Sequence, residues 1–341
     1  MSVEVFLDDT PGELRAVIRR DGHFEHLLIE SERDDPQTRL GARSVARVRR
    51  AAPGLKGAFV DLGAGGEAFM SLRGGGVAAP VGSKIEVELV AEHRAGKAPA
   101  VRWIGPAEGE PRLLTPAPTL TEALARLAPG VTPVTGKAAI EAGWQAVEES
   151  QTHPAIPGGT VAVERTRAMV TVDIDLNSHD MGRARERDAA NRRGLLEAAR
   201  AIRLRRWAGL VAIDLIGAGH DGAAILKVAK AAFGDDPRIA YGPVNRFGVL
   251  QLALPWERTP LEEVLYRYPS IRAFGAGQAA QEVTRRIKFE LLSDTTRARI
   301  TARCPAEVAR LAAPLVAQLG PRAHLRADDS LPTGEHVIEA E

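Results

Sequence analysis

The stretch that most constrains this chain is 168–216. Residues 170–175, VTVDID, are β-branched and end in carboxylates; residues 209–214, GLVAID, are apolar and end in another. Between them, Glu186 to Trp207 has helical spacing, with Leu195, Ala199 and Ile202 on one face. This pattern predicts strand, helix, strand, with an acid closing each strand. Side chains alternate along a strand, so Asp173 and Asp175 share a face, and Asp214 joins them if the two strands lie side by side. Clustered carboxylates repel unless a positive charge sits among them. A hard divalent cation, usually Mg²⁺, answers that repulsion and can activate water against a phosphate. The plainer alternative is that one Asp caps a helix and the others are solvated strand ends.

Composition bounds the readings. At 341 residues the chain is long enough for two or three modest domains. Its 45% hydrophobic and 26% charged residues are ordinary for a soluble globular protein. The net charge of +1 does not announce a nucleic-acid binder, but Arg is concentrated at 43–50, 183–206 and 297–303. Basic clusters beside an acidic metal site suit a polyanionic substrate; the alternative is that these arginines solvate helix faces. Cys304 is the sole cysteine, which excludes a disulfide framework and an intramolecular Cys zinc site. With no run of about 18 apolar residues and no basic-then-apolar leader at the N-terminus, the expected compartment is the cytoplasm, without membrane association.

Along the chain, 2–7, 14–19 and 23–29 read as strands, with His23 and His26 as surface residues. Five short strands with Gly-rich turns between Arg39 and Trp103 predict a small OB-type barrel. Phe59 and Phe69 lie in two of them, where both rings can be core. Residues 105–118 read as a Pro/Gly/Glu linker. Thr119-Leu120-Thr121-Glu122 opens a helix to Leu127 with a capping box, and another helix covers 137–149. After Asp214 the pattern predicts a helix at 222–233, strands at 238–241 and 247–254, and a short helix at 261–268. His220 and Asp221 are read as a helix cap, with contact to substrate as the alternative for His220. From Ala276 two helices and three short strands predict a small C-terminal α+β domain.

Several segments, in order, resemble the RNase E/G family of endoribonucleases: Pro157-Gly158-Gly159, Arg167-Ala168-Met169 leading into 171–175, Asn191 with 195–205, 209–214, and Asn245-Arg246-Phe247-Gly248-Val249-Leu250. Residues 48–63 resemble that family's embedded RNA-binding barrel. The resemblance implies a mixed α/β fold: an RNase H-like and DNase I-like catalytic core, an inserted OB-fold barrel and a small C-terminal domain. The implied bounds are 1–38 for the first part of the RNase H-like subdomain and 39–104 for the barrel. A linker and the second RNase H-like part follow at 105–150, the DNase I-like subdomain at 151–272, and the small domain at 273–341.

The implied activity is Mg²⁺-dependent cleavage of single-stranded RNA (Mn²⁺ as a substitute), leaving 5′-phosphate products, in RNA processing or decay. Asp173 and Asp214 fall on the family's metal-holding aspartates. Asp175 falls where the family has an orienting Asn; in a shifted register Asp175 would be the ligand and Asn177 its supporter. Phe59, Phe69 and Lys97 fall on RNA-contacting positions of the barrel, and Arg246 on a phosphate-contacting Arg. Between Trp103 and Thr119 the Arg-Thr pair that marks the family's pocket for a 5′-monophosphate is absent. So is the Cys-x-x-Cys that joins relatives through zinc, which argues against a zinc-linked tetramer and leaves the oligomeric state open. Two alternatives from other classes stand beside the nuclease: an RNA-binding protein that kept the fold without catalysis, and a Mg²⁺ phosphohydrolase acting on small nucleotides. Metal analysis of the purified protein is expected to find no stoichiometric zinc; zinc at one equivalent would overturn the argument from Cys304.

Overall fold

A computed structural model describes residues 2–72, 79–177, 184–266 and 275–341. It divides into two compact units: one of residues 18–27 and 144–256 with the extreme N-terminus, the other of residues 3–17, 28–143 and 257–341. The fold is mixed α/β, with several sheets and a closed five-stranded barrel.

The chain opens with β1 (Val3–Asp8), β2 (Glu13–Arg20) and β3 (His23–Ser31), paired in sequence order. The barrel follows: β4 (Arg43–Ala52), β5 (Gly57–Asp61), β6 (Glu67–Ser71), β7 (Lys84–Ala91) and β8 (Ala100–Pro106). It closes because the long β4 pairs with β7 through Arg43–Arg47 and with β5 through Arg47–Ala52, bending at a bulge between Val48 and Arg50. Inward-facing Val48, Val60, Met70, Ile85, Val87, Leu89 and Val101 fill it.

The segment 105–118, expected as a linker, carries β9 (Arg112–Thr115), which pairs with Arg43–Val45 of β4. There β5 has already left β4, and β9 satisfies backbone groups that would otherwise form an open edge. Composition cannot reveal such a strand, because a nonlocal edge creates the demand for it.

Helices α1 (Leu120–Leu127) and α2 (Lys137–Ser150) come next. The capping box at Thr119 and Glu122 forms as expected. A six-stranded sheet then assembles from β10 (Ala155–Ile156), β11 (Gly159–Arg165), β12 (Val170–Leu176), β13 (Gly209–Asp214), β14 (Ala240–Tyr241) and β15 (Val249–Leu254). Its order is β10-β11-β12-β13-β15-β14. Only β12 and β13 run parallel, since α3 (Ala184–Arg205) lies between them in the chain. Together, α3 and α4 (Gly222–Phe233) supply Leu195, Ala198, Ile202, Ile225 and Ala229 to the core under this sheet.

The end of α3 departs from the expected basic cluster. Arg200 pairs with Glu149 and Glu197 and donates to the Phe24 carbonyl. Arg203 pairs with Glu25 at 2.7 Å, Arg205 donates to the carbonyls of Ser150, Thr152 and Val163, and Arg206 to that of Leu27. The guanidinium, with five donors in a fixed fork, suits unpaired carbonyls at loop ends. These four arginines therefore hold the unit together; Arg192 and Arg193, earlier on the helix, are exposed.

The chain ends with α5 (Leu261–Tyr266), α6 (Ala276–Ser293), β16 (Ile300–Cys304), α7 (Ala306–Val316), β17 (Ala323–Ala327) and β18 (Val337–Ala340). Residues 267–268 of the expected 261–268 helix, and the expected boundary at 272/273, lie outside the described residues. β16 is central, parallel to β17 and antiparallel to β18, and Cys304 is buried in the core it shares with α6 and α7. A buried ion network ties α6 to the N-terminal strands. Arg285 reaches Asp8 at 2.7 Å and Glu13 at 2.9 Å, and Lys288 reaches Asp8 at 3.3 Å. Burial by itself would raise the Asp8 carboxyl; Arg285, Thr10 and Lys288 outweigh it and hold the group below its ordinary value. Among the described residues no helix is long and apolar enough to cross a membrane.

His23 is exposed as expected, but His26 is half-buried. Burial first, then the charge of Arg203, lowers its pKa from 6.5 to about 4. The folded protein thus keeps His26 neutral where the unfolded chain would take up a proton. Stability is expected to be undiminished by this group above pH 6.5 and to fall as the pH drops from 6.5 towards 4. Chemical denaturation across that window should show a shallower decline in His26→Gln; an unchanged slope would refute the assignment.

Candidate active site

The sequence V-T-V-D-I-D-L of β12 alternates strictly in burial. Val170, Val172, Ile174 and Leu176 enter the core, while Asp173 and Asp175 are exposed on the opposite face and Thr171 half-buried there. β13 repeats the pattern, burying Val211 and Ile213 and exposing Asp214. The parallel register sets Asp173 directly beside Asp214. Continuing across the sheet, one row reads Ala162, Asp173, Asp214, Val249, and the next reads Glu164, Thr171, Ala212, Gln251. Small Ala162 and Ala212 beside the acids leave a hollow of about 290 Å³, lined also by Glu164, Thr171 and Val249.

Two local devices hold the acids in place. Gly159 faces β12 so closely that a Cβ there would lie 2.0 Å from the Asp175 carbonyl oxygen; Gly158, before it, takes the left-handed φ of 77° that the turn needs. Asn191 on α3 is fully buried and grips one peptide unit: its Oδ1 accepts from the Ile216 N–H at 2.9 Å, and its Nδ2 donates to the Ile216 carbonyl at 3.2 Å. That clamp sits two residues past Asp214 and locks the exit of β13 to the helix. A polar residue at a helix position otherwise facing the core was the available signal for it, since a buried Asn must find partners.

Electrostatics mark the cluster. Partial desolvation, then the charges of Asp175 and Asp214, push the Asp173 carboxyl above its ordinary value. Among the described residues, no hydrogen bond or ion pair reaches any of the three carboxylates. Nor do three or more His, Cys, Asp or Glu gather tightly enough there to enclose a metal ion unaided. The donor set is therefore two or three hard oxygens open to water, which fits a small hard dication that keeps part of its hydration shell.

The barrel carries a second feature. Phe59 and Phe69 are half-buried on its outer side and do not belong to its core. Their rings meet edge to face, 5.3 Å between centroids. The Arg50 guanidinium carbon lies 3.6 Å from the Phe59 centroid. Gly57 makes room for Phe69, since a Cβ at 57 would overlap its ring. Both rings line a hollow of about 540 Å³ together with Arg94 and Lys97, which is exposed on the 94–97 turn. The structure thus gathers Phe59, Phe69 and Lys97 at one place. Arg246 lies on the exposed turn that enters β15 beside Asp214.

Asp221 is the N-cap of α4, accepting from Ala223 and Ala224. His220 does not cap; its Nε2 lies 3.0 Å from the Gly217 carbonyl oxygen, against the turn at Gly248.

Because the three acids repel without a cation, Asp173→Asn should stabilise the metal-free protein slightly, on the order of 1–2 °C in melting temperature. Thermal unfolding in EDTA measures this, and a lower melting temperature would contradict the electrostatic reading.

A family model matches the segment that carries these acids. The model of the Ribonuclease E/G family matches residues 118–254. The chain is 28% identical over 116 residues to "Putative ribonuclease E" of Buchnera aphidicola subsp. Baizongia pistaciae (strain Bp), covering 33% of this chain and 28% of that protein. It is 31% identical over 101 residues to "Ribonuclease E" of Buchnera aphidicola subsp. Acyrthosiphon pisum (strain APS), covering 28% of this chain and 11% of that protein. The matched region thus spans less than a third of either relative. The stretch matched by the family model includes Asp173, Asp175, Asp214, Asn191 and Arg246, and over residues 118–254 the chain is similar to the Ribonuclease E/G family.

Proposed function

We propose that this chain is an endoribonuclease that hydrolyses single-stranded RNA with a divalent cation, Mg²⁺ or in its place Mn²⁺, leaving 5′-phosphate ends. The observation that carries the reading is the parallel register setting Asp173 beside Asp214 with no cationic partner among the described residues. Asp173 and Asp214 hold the ion, and Asp175, next along the same face, orients or shares it. An ion so held supplies Lewis acidity towards the scissile phosphate and lowers the pKa of a bound water. The residues do the rest. The shallow hollow admits a phosphodiester without enclosing it, and its Ala162 and Ala212 floor keeps bulk away from the acids. The barrel, read as an OB-type RNA clamp, offers Phe59 and Phe69 to stack a base and Lys97 to meet a phosphate, each stacked base contributing about 1–3 kcal/mol. We read Cys304, buried in the C-terminal core, as no part of a zinc link, and the cytoplasm as the site of action.

A second reading, an RNA-binding protein without catalysis, is motivated by Asp175 standing where the resembling family has Asn. The two separate cleanly by experiment. An end-labelled, A/U-rich single-stranded RNA should be cut internally with Mg²⁺ and left whole in EDTA, and Asp173→Ala and Asp214→Ala should each lower the rate by at least about 10²-fold. RNA binding with no metal-dependent cutting would establish the second reading. Without the Arg-Thr sensor pair, 5′-monophosphate and 5′-hydroxyl substrates should be cut at equal rates; a strong preference for the monophosphate would overturn that part.

A further inference from the structure

Phe247 is 71% exposed, more than any other exposed large hydrophobic side chain among the described residues. A phenyl ring left this exposed on a fixed turn forgoes the stabilisation that burial would give it and leaves its face open to a ligand, and this turn is held firmly. Asn245 Oδ1 accepts from the backbone N–H groups of Phe247 at 2.9 Å and Val249 at 3.1 Å, and the Gly248 N–H donates to the Asn245 carbonyl at 3.1 Å. Gly248 takes a left-handed φ of 84°, and a Cβ there would press on the Gly217 carbonyl oxygen at 3.3 Å. The ring therefore stands out because the backbone holds it out.

Its setting is specific. The Arg246 guanidinium carbon lies 4.7 Å from the ring centroid, and among the described residues no carboxylate pairs with that guanidinium. One side of the ring thus carries a cation while much of it faces solvent. Two residues on, Val249 pairs with Asp214 and lines the same hollow as Asp173 and Asp214. By strand geometry that is about 7 Å along the chain and about 5 Å across it.

We propose that Phe247, backed by Arg246, is a stacking platform for an unpaired nucleobase flanking the scissile phosphate. The platform belongs to the turn that enters the sheet bearing the acids. It rests on the nuclease reading above and deepens it by naming a base-contacting residue at the cleavage site. An aromatic face accepts any base, so the platform orients the strand without selecting sequence, and the neighbouring guanidinium serves the phosphate of the same nucleotide.

The test measures equilibrium binding of a fluorescein-labelled oligouridylate in EDTA, where no cutting occurs, and Mg²⁺-dependent cleavage in parallel. Phe247→Ala should weaken binding by about 5- to 100-fold, and Phe247→Trp should restore it. Against an oligomer with abasic riboses in place of the nucleosides, Phe247→Ala and wild type should bind alike, which a contact to phosphate alone would not produce. Because the ring is exposed and Asn245 holds the turn, Phe247→Ala should keep the wild-type melting temperature. Binding of Phe247→Ala within twofold of wild type, or an equal loss on the abasic oligomer, overturns the platform. If wild type still cuts RNA in that case, the nuclease reading survives it; if wild type neither binds nor cuts, both readings fall.

Discussion

The parallel hydrogen bonding of β12 to β13 is the interaction on which the candidate site depends. A shift of one residue would turn Asp214 into the core and a buried valine or isoleucine out to solvent. The register is therefore held by hydrophobic burial on one face, and the acids on the other face inherit their positions from it. Val170, Val172, Val211 and Ile213 pack on α3 and α4, and that packing is what keeps two mutually repelling carboxylates side by side.

The helix between these strands does more than connect them. Its buried Asn191 grips the chain just beyond Asp214, and its last turns send Arg200, Arg203, Arg205 and Arg206 to carbonyls and carboxylates of neighbouring segments. Positive charge that would suit a polyanion is thereby spent within the unit. Under the proposed function, attraction for RNA would come from fewer cations, such as Lys97 and Arg50 around the barrel rings and Arg246 beside the acids.

The buried network of Asp8, Glu13, Arg285 and Lys288 illustrates the opposite use of charge. There every group has a partner, desolvation is offset by hydrogen bonds, and the result joins distant parts of the chain. At Asp173, Asp175 and Asp214 the partners are missing among the described residues, and the carboxyl of Asp173 is pushed up instead of down. The contrast between a satisfied and an unsatisfied cluster within one chain separates a structural ion network from a candidate metal site.

Much of this was legible in the sequence because it is local or periodic. The alternation of 170–175 and 209–214 determined which acids share a face, the Thr119 capping box marked the start of α1, and the Gly-rich turns with short apolar runs announced the barrel. What the tertiary structure alone decided is nonlocal. Alternation cannot tell an inward from an outward ring, so only the closed barrel showed that Phe59 and Phe69 lie outside its core. The strand at Arg112–Thr115 exists because β4 has an edge to cover, the His26 pKa is lowered because the fold buries the ring and brings Arg203 of α3 beside it, and the arginines of α3 meet carbonyls that no local pattern could place. The sequence by itself determined the chemistry available at each position. Tertiary packing decided which groups were left without partners, because pairing and burial depend on neighbours far away along the chain.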